Sequence, residues 1–149
     1  MRPTRPARYA VLAAARLAAG DTLPSKELAA HCGITVVALG EALRPLVRRG
    51  LVRGIPGPRG GYRLACAPEA ITVLDVLEAV GGPLKDARCP VHDRSCFARV
   101  TCPVHDLWTD GQERMRAALG GMTIGALVAE LDSAGSVDRL LTGLEPAPR

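Results

Sequence analysis

Apolar positions recur at helical spacing through the first fifty residues. Tyr9, Leu12, Ala13, Arg16 and Leu17 place an Ala- and Leu-rich segment, Tyr9 to Ala19, on a helix period, and Asp21 to Pro24 breaks it. Ser25 is placed to cap a short second helix, Lys26 to Cys32, which Gly33 stops. Thr35 caps a third helix, with Ile34 and Leu39 as a hydrophobic staple around its start. That helix runs through Leu43 and Leu46 towards Gly50, with Gly40 and Pro45 as weak points inside it. The pattern then shortens. Leu51-Val52-Arg53 and Tyr62-Arg63-Leu64-Ala65 read as two strands around the Gly- and Pro-rich loop Gly54 to Gly61. Three helices followed by such a hairpin predict a winged helix-turn-helix.

Further along, Thr72 and Asp75 form a capping-box pair, and Ile71 and Val76 a staple, at the start of a helix from Val73 to Val80 that Gly81-Gly82-Pro83 ends. Leu84 to Val104 holds three cysteines and two prolines with little periodicity, and is expected to be a loop. Leu107, Trp108, Met115 and Leu119 predict a long helix from His105 or Asp106 to Leu119, ended by Gly120-Gly121. Thr123 caps a last helix, Ile124 to Leu131, with Met122 and Leu127 as its staple. The expected class is mainly α (α+β). The organisation is a winged helix-turn-helix domain over 1–83, a cysteine-rich loop over 84–104, the long helix and a short packing helix over 105–132, and a tail over 133–149.

The chain has 149 residues, 48% of them hydrophobic and only 3% aromatic, so its core must be aliphatic. No run of eighteen apolar residues exists, which argues against a membrane span. Arg16 interrupts the N-terminal apolar stretch and no convincing cleavage site follows, so a signal peptide is rejected and a cytoplasmic protein expected. In that setting five cysteines point to metal or redox chemistry before disulfides. Charge is uneven. Residues 1–65 hold eleven Lys and Arg against three acids, +8, whereas residues 66–149 hold eight against twelve, −4. The front half is suited to a polyanion. No C-x-x-C pair, phosphate-binding glycine motif or recognisable acid/base dyad is present, so an enzyme is not expected.

Two constellations carry chemistry. A recognition helix entering the major groove of double-stranded DNA presents Thr35, Val36, Val37, Ala38, Glu41 and Arg44 to base edges. There Glu41 suits a cytosine amino group and the small apolar residues suit a thymine methyl. Arg48, Arg49 and Arg53 suit phosphates, and Arg59 at the wing tip suits a minor groove. Tyr9 completes the candidate DNA contacts. The bland alternative is an amphipathic helix with a solvated basic face in an Arg-rich chain. The second constellation is Cys89, Cys96, Cys102 and His105, within which Cys89-Pro90-Val91-His92-Asp93 is echoed by Cys102-Pro103-Val104-His105-Asp106. Thiolates and imidazole serve zinc or an iron–sulfur cluster, and only Cys89/His92 and Cys102/His105 have the close spacing zinc prefers. Widely spread cysteines suit a cluster better; structural zinc or oxidant-sensing thiols in a DNA-binding repressor is the alternative. Cys32 and Cys66 read as small packed hydrophobes, His31 as a solvated helix-end residue, and Trp108 as packing the loop's exit against the long helix.

Several segments together resemble a known family. They are Arg8-Tyr9-Ala10-Val11, Gly50-Leu51-Val52, Gly60-Gly61-Tyr62-Arg63-Leu64, Ile71-Thr72-Val73-Leu74-Asp75-Val76 and Cys102-Pro103-Val104-His105-Asp106-Leu107-Trp108. In order, over about residues 1–131, they resemble the Rrf2 family of bacterial winged-helix transcriptional regulators, in its IscR-like, iron–sulfur type. The resemblance implies a homodimer seamed along the long helix and a pseudo-palindromic promoter site. It also implies a cluster held by Cys89, Cys96 and Cys102 with His105 as fourth ligand. Nitric-oxide-sensing relatives use an acidic ligand where this chain has Arg8, which favours a 2Fe-2S cluster over a 4Fe-4S one. Three departures are visible. The first cysteine gap is about one residue longer, Pro56 stands where relatives usually have Arg before the wing glycines, and Ala38-Leu39-Gly40 replaces a frequent Tyr-Leu-Glu, with Glu41 shifted by one.

Overall fold

A computed structural model describes residues 4–84 and 103–133. The chain enters at α1 (Arg5–Leu17), four residues before the expected start. Thr4 Oγ1 accepts the Ala7 amide at 3.4 Å, and Pro6 falls in the first turn, where no N–H is needed. α2 (Ser25–His31) follows, and here the expected Ser25 cap is not found. Ser25 is the first helical residue, Pro24 is the N-cap, and no side chain caps the helix. The reason lies one residue upstream. Leu23 is drawn into extended pairing with Tyr62, its N–H donating to the Tyr62 carbonyl at 3.0 Å and its carbonyl accepting from the Tyr62 N–H at 2.9 Å. Gly33, at φ 63°, makes the turn into α3 (Val36–Arg48), which Thr35 caps through the Ala38 amide at 3.2 Å.

The hairpin forms with slightly different bounds from those expected. β1 (Val52–Ile55) pairs antiparallel with β2 (Gly61–Leu64), Val52 opposite Leu64 and Ile55 opposite Gly61, so Gly54 and Ile55 belong to the strand rather than the loop. Gly61 can be nothing else. A Cβ built there would lie 2.1 Å from the Leu23 carbonyl oxygen, so the Leu23 pairing that anchors the wing to the α1–α2 connection depends on it. A 3-10 turn (Pro68–Ala70) leads to α4 (Val73–Gly81), whose capping box is complete. The Asp75 amide donates to Thr72 Oγ1 at 3.0 Å, and the Thr72 amide donates to Asp75 Oδ2 at 2.9 Å.

α5 (Pro103–Gly121) begins two residues earlier than predicted and ends at Gly121, so the two glycines close it as its last helical residues. α6 (Ile124–Ser133) begins at its predicted Thr123 cap, with the Ala126 amide on Thr123 Oγ1 at 3.1 Å. Leu119 and Met122 are packed against the core on either side of the two glycines. Thr72 bridges Thr123, with Val73 N–H to the Met122 carbonyl at 2.9 Å and Ile124 N–H to the Ile71 carbonyl at 2.8 Å, so α6 is stitched to the base of α4.

The core is aliphatic, as the composition required. Ala10, Ala13, Ala14 and Leu17 of α1 meet Leu39, Ala42, Leu43 and Leu46 of α3, with Val52, Ile71, Val73, Val76 and Ile124 closing it. Alanines on α1 let α3 and α4 pack close to it, and no polar or charged side chain is buried among the described residues. Cys32 is a core residue as expected. Cys66 is not: it is exposed on the bend after β2, where the chain leaves the wing. Among the described residues no single helix is long and apolar enough to cross a membrane.

Candidate nucleic-acid interface

Packing of α3 dictates what it shows to solvent. Leu39, Ala42, Leu43 and Leu46 are fully buried, so the stripe on the far side is Val37, Glu41, Arg44 and Arg48, spaced four, three and four residues apart and all exposed. Val37 is 74% exposed and Val36 45%. Ala38 is half-buried, and Thr35 is exposed but its hydroxyl oxygen is engaged in the cap. The far face therefore grades along the helix from apolar at its start, through one carboxylate, to guanidinium groups at its end, where Arg49 is also exposed.

The wing adds cation. Arg59 is exposed in the loop between the strands and Arg53 on β1. The sequence reading missed Arg63, which the strand register sets directly opposite Arg53 on β2, also exposed. Like charges facing one another across two strands repel, an arrangement suited to an anion lying between them. The signal was present in the alternation of the hairpin, but the pair is visible only once the register is known. None of Arg44, Arg48, Arg49, Arg53, Arg59 and Arg63 enters a salt bridge among the described residues, which leaves their charge available to phosphates. Tyr9 is half-buried on α1 and packed against the core.

Of the four candidate ligands, Cys89, Cys96 and Cys102 lie outside the described residues. His105 is half-buried in the first turn of α5, its carbonyl accepting the Thr109 hydroxyl at 2.9 Å. Among the described residues no three His, Cys, Asp or Glu side chains gather around a common point. His31 is exposed at the end of α2, as expected, and Trp108 is half-buried one turn beyond the start of α5. The far end of α5 is held to the head by Glu78 of α4, which pairs with the Arg116 guanidinium and accepts the Leu84 amide at 3.2 Å.

Cys32 behaves as core. Burial pushes its thiol up from 9.0 to about 11, against the pull of the Arg16 charge in the opposite direction.

Comparison with known proteins agrees with this architecture. The family model described as Rrf2, iron-dependent transcriptional regulator, matches residues 4–130. The chain is 32% identical over 134 residues to the HTH-type transcriptional regulator IscR of Aliivibrio salmonicida, an alignment covering 87% of this chain and 79% of that one. Among solved structures it is similar to CymR, the global cysteine regulator of B. subtilis, with a TM-score of 0.75 at 22% identity over 87% of this chain and 98% of the other. It is similar as well to T. potens IscR, with a TM-score of 0.72 at 20% identity over 90% of each chain.

Two predictions follow from these placements. Replacing Arg48 or Arg49 with Ala is expected to lower the slope of log affinity for duplex DNA against log salt by about 1 each, measured by fluorescence anisotropy; unchanged slopes would remove them from the interface. Because the folded Cys32 thiol stays protonated where the unfolded one ionises, its contribution to stability is whole below the ordinary thiol pKa. That contribution is lost as pH rises from 9.0 through about 11. Urea unfolding across that range should show the loss in the native chain and not in Cys32→Ala; equal pH slopes in the two would contradict it.

Proposed function

This chain belongs to the Rrf2 family of transcriptional regulators, and on that premise we propose that it is an iron–sulfur-cluster-dependent regulator that binds a pseudo-palindromic promoter site as a homodimer. The observation that carries the reading is the place of His105: half-buried in the first turn of a 19-residue helix that Cys102 immediately precedes in sequence. Free amide N–H groups and the positive end of the helix dipole favour thiolate at such a position.

The donor set fits the group. Three thiols and one imidazole, Cys89, Cys96, Cys102 and His105, match the soft ligation of a 2Fe-2S cluster, and His105 in place of a fourth thiolate would raise its potential and make it sensitive to protonation. When bound, such a cluster supplies a cross-link responsive to iron, oxidants or nitric oxide between residues 89–102 and the base of α5. The rest is the work of the protein's own side chains. α5 carries an exposed apolar stripe, Val104 at 40%, Leu107 at 75% and Met115 at 38%, the surface on which a second copy would pair. At its other end α5 is tied to α4 by Arg116 and Glu78, and α4 packs on α1 and α3. A change in the position of α5 is thereby passed to the spacing of the two α3 helices of a dimer, and the difference in affinity for half-sites one helical turn apart is the regulatory free energy.

Anaerobic purification is expected to yield a brown protein absorbing in the visible region, with iron and sulfide in equal amounts, and Cys102→Ala to abolish the colour while the fold is retained. A colourless anaerobic protein with full zinc occupancy would overturn the proposal in favour of a winged-helix repressor with structural zinc.

A further inference from the structure

Gly40 has no explanation within the fold. It lies inside α3, where glycine costs a helix about 1 kcal/mol relative to alanine. Its φ is not among the positive values, and a Cβ built on it would meet nothing within 4 Å. Neither turn geometry nor packing asks for the missing side chain, which leaves bare backbone on this face of α3 open to something outside the chain.

The neighbours of Gly40 indicate what that is. One turn before it on the helix surface are Val36 and Val37, and one turn after it is Arg44. Both stand on the first turn beside the Thr35 cap: Val37, 74% exposed, faces away from the buried Leu39 and Leu43, and Val36, 45% exposed, sits at the flank of that buried face. Single exposed valines are ordinary, but two adjacent ones next to a bare stretch of backbone make a smooth apolar surface at the end of α3 that a winged helix turns towards base edges. On those edges the major groove offers one apolar group, the C5-methyl of thymine.

We propose that Val36, Val37 and Gly40 form a methyl-reading surface. The valines contact thymine methyl groups, and Gly40 lets the helix approach so closely that any Cβ there would meet DNA. Specificity at these positions comes from apolar contact, with Glu41 and Arg44 bordering the surface. The inference rests on α3 being the groove-reading helix, and the experiment separates the two claims.

The full-length protein is used to select duplexes from a random pool, and each thymine of the enriched duplex is then replaced singly by deoxyuridine, which removes only the methyl. At one or more positions affinity is expected to fall about fourfold, the worth of one buried methyl-sized group. Val37→Ala should bind the thymine and deoxyuridine duplexes alike. Gly40→Ala should raise or leave unchanged the melting temperature while weakening binding by about tenfold, a split that a purely structural glycine would not give. An enriched duplex indifferent to every methyl, or a Gly40→Ala protein that binds as well as the parent, overturns this inference alone. A pool from which nothing is enriched overturns the DNA-reading role of α3 and this inference with it.

Discussion

A half-buried carboxylate and the core packing of Leu119, Met122 and Ile124 together join α5 and α6 to the head. Glu78, near the end of α4, pairs with Arg116 from α5 and accepts the amide of Leu84, the first residue after the Gly-Gly-Pro turn. With side chains only 18% and 27% exposed, Glu78 and Arg116 have given up much of their water, and each would be costly to leave without the other. A second attachment, the backbone pairing of Thr72 with Thr123, fixes the turn between α5 and α6 to the base of α4. The 19-residue α5 is thus tied to the head through Arg116, with His105 in its first turn about 16 Å further along the helix axis. In the proposed reading α5 is the lever through which a ligand at its start influences the head.

The head uses α3 for two tasks that its period keeps apart. Leu39, Ala42, Leu43 and Leu46 hold it against the alanine face of α1, and Val37, Glu41, Arg44 and Arg48 are left outward by the same repeat. The wing is oriented by an equally local device, the Leu23–Tyr62 pairing that only a glycine at position 61 permits. Backbone contact therefore sets where the wing arginines stand relative to α3, and the opposed guanidinium groups of Arg53 and Arg63 are a consequence of strand register.

Much of this was legible in the residues. Thr35, Thr72 with Asp75, and Thr123 each announced a helix start that the structure confirms, because side-chain capping is a local reaction between neighbours. What was missed is non-local. Ser25 is displaced from its cap by the hydrogen bonds of Leu23 to a strand almost forty residues away. Cys66 reads like Cys32 as a residue type, and only its place on the bend after β2 exposes it. Of the cysteine segment, the donor types and their spacing were readable; His105 lies in the first turn of α5, and its role as a ligand, like those of Cys89, Cys96 and Cys102, rests on the sequence alone.

The most direct test of the account is the ratio of promoter affinities between cluster-reconstituted and metal-free protein, measured in the native chain and in Glu78→Gln. That variant keeps an acceptor for the Leu84 amide but removes the charge that holds Arg116. The account predicts a ratio well away from one in the native chain and a ratio close to one in Glu78→Gln, with the colour of the reconstituted protein unchanged. A native ratio of one, or a ratio that survives the substitution intact, would contradict the claim that α5 and its ion pair link the cysteine segment to the DNA-reading head.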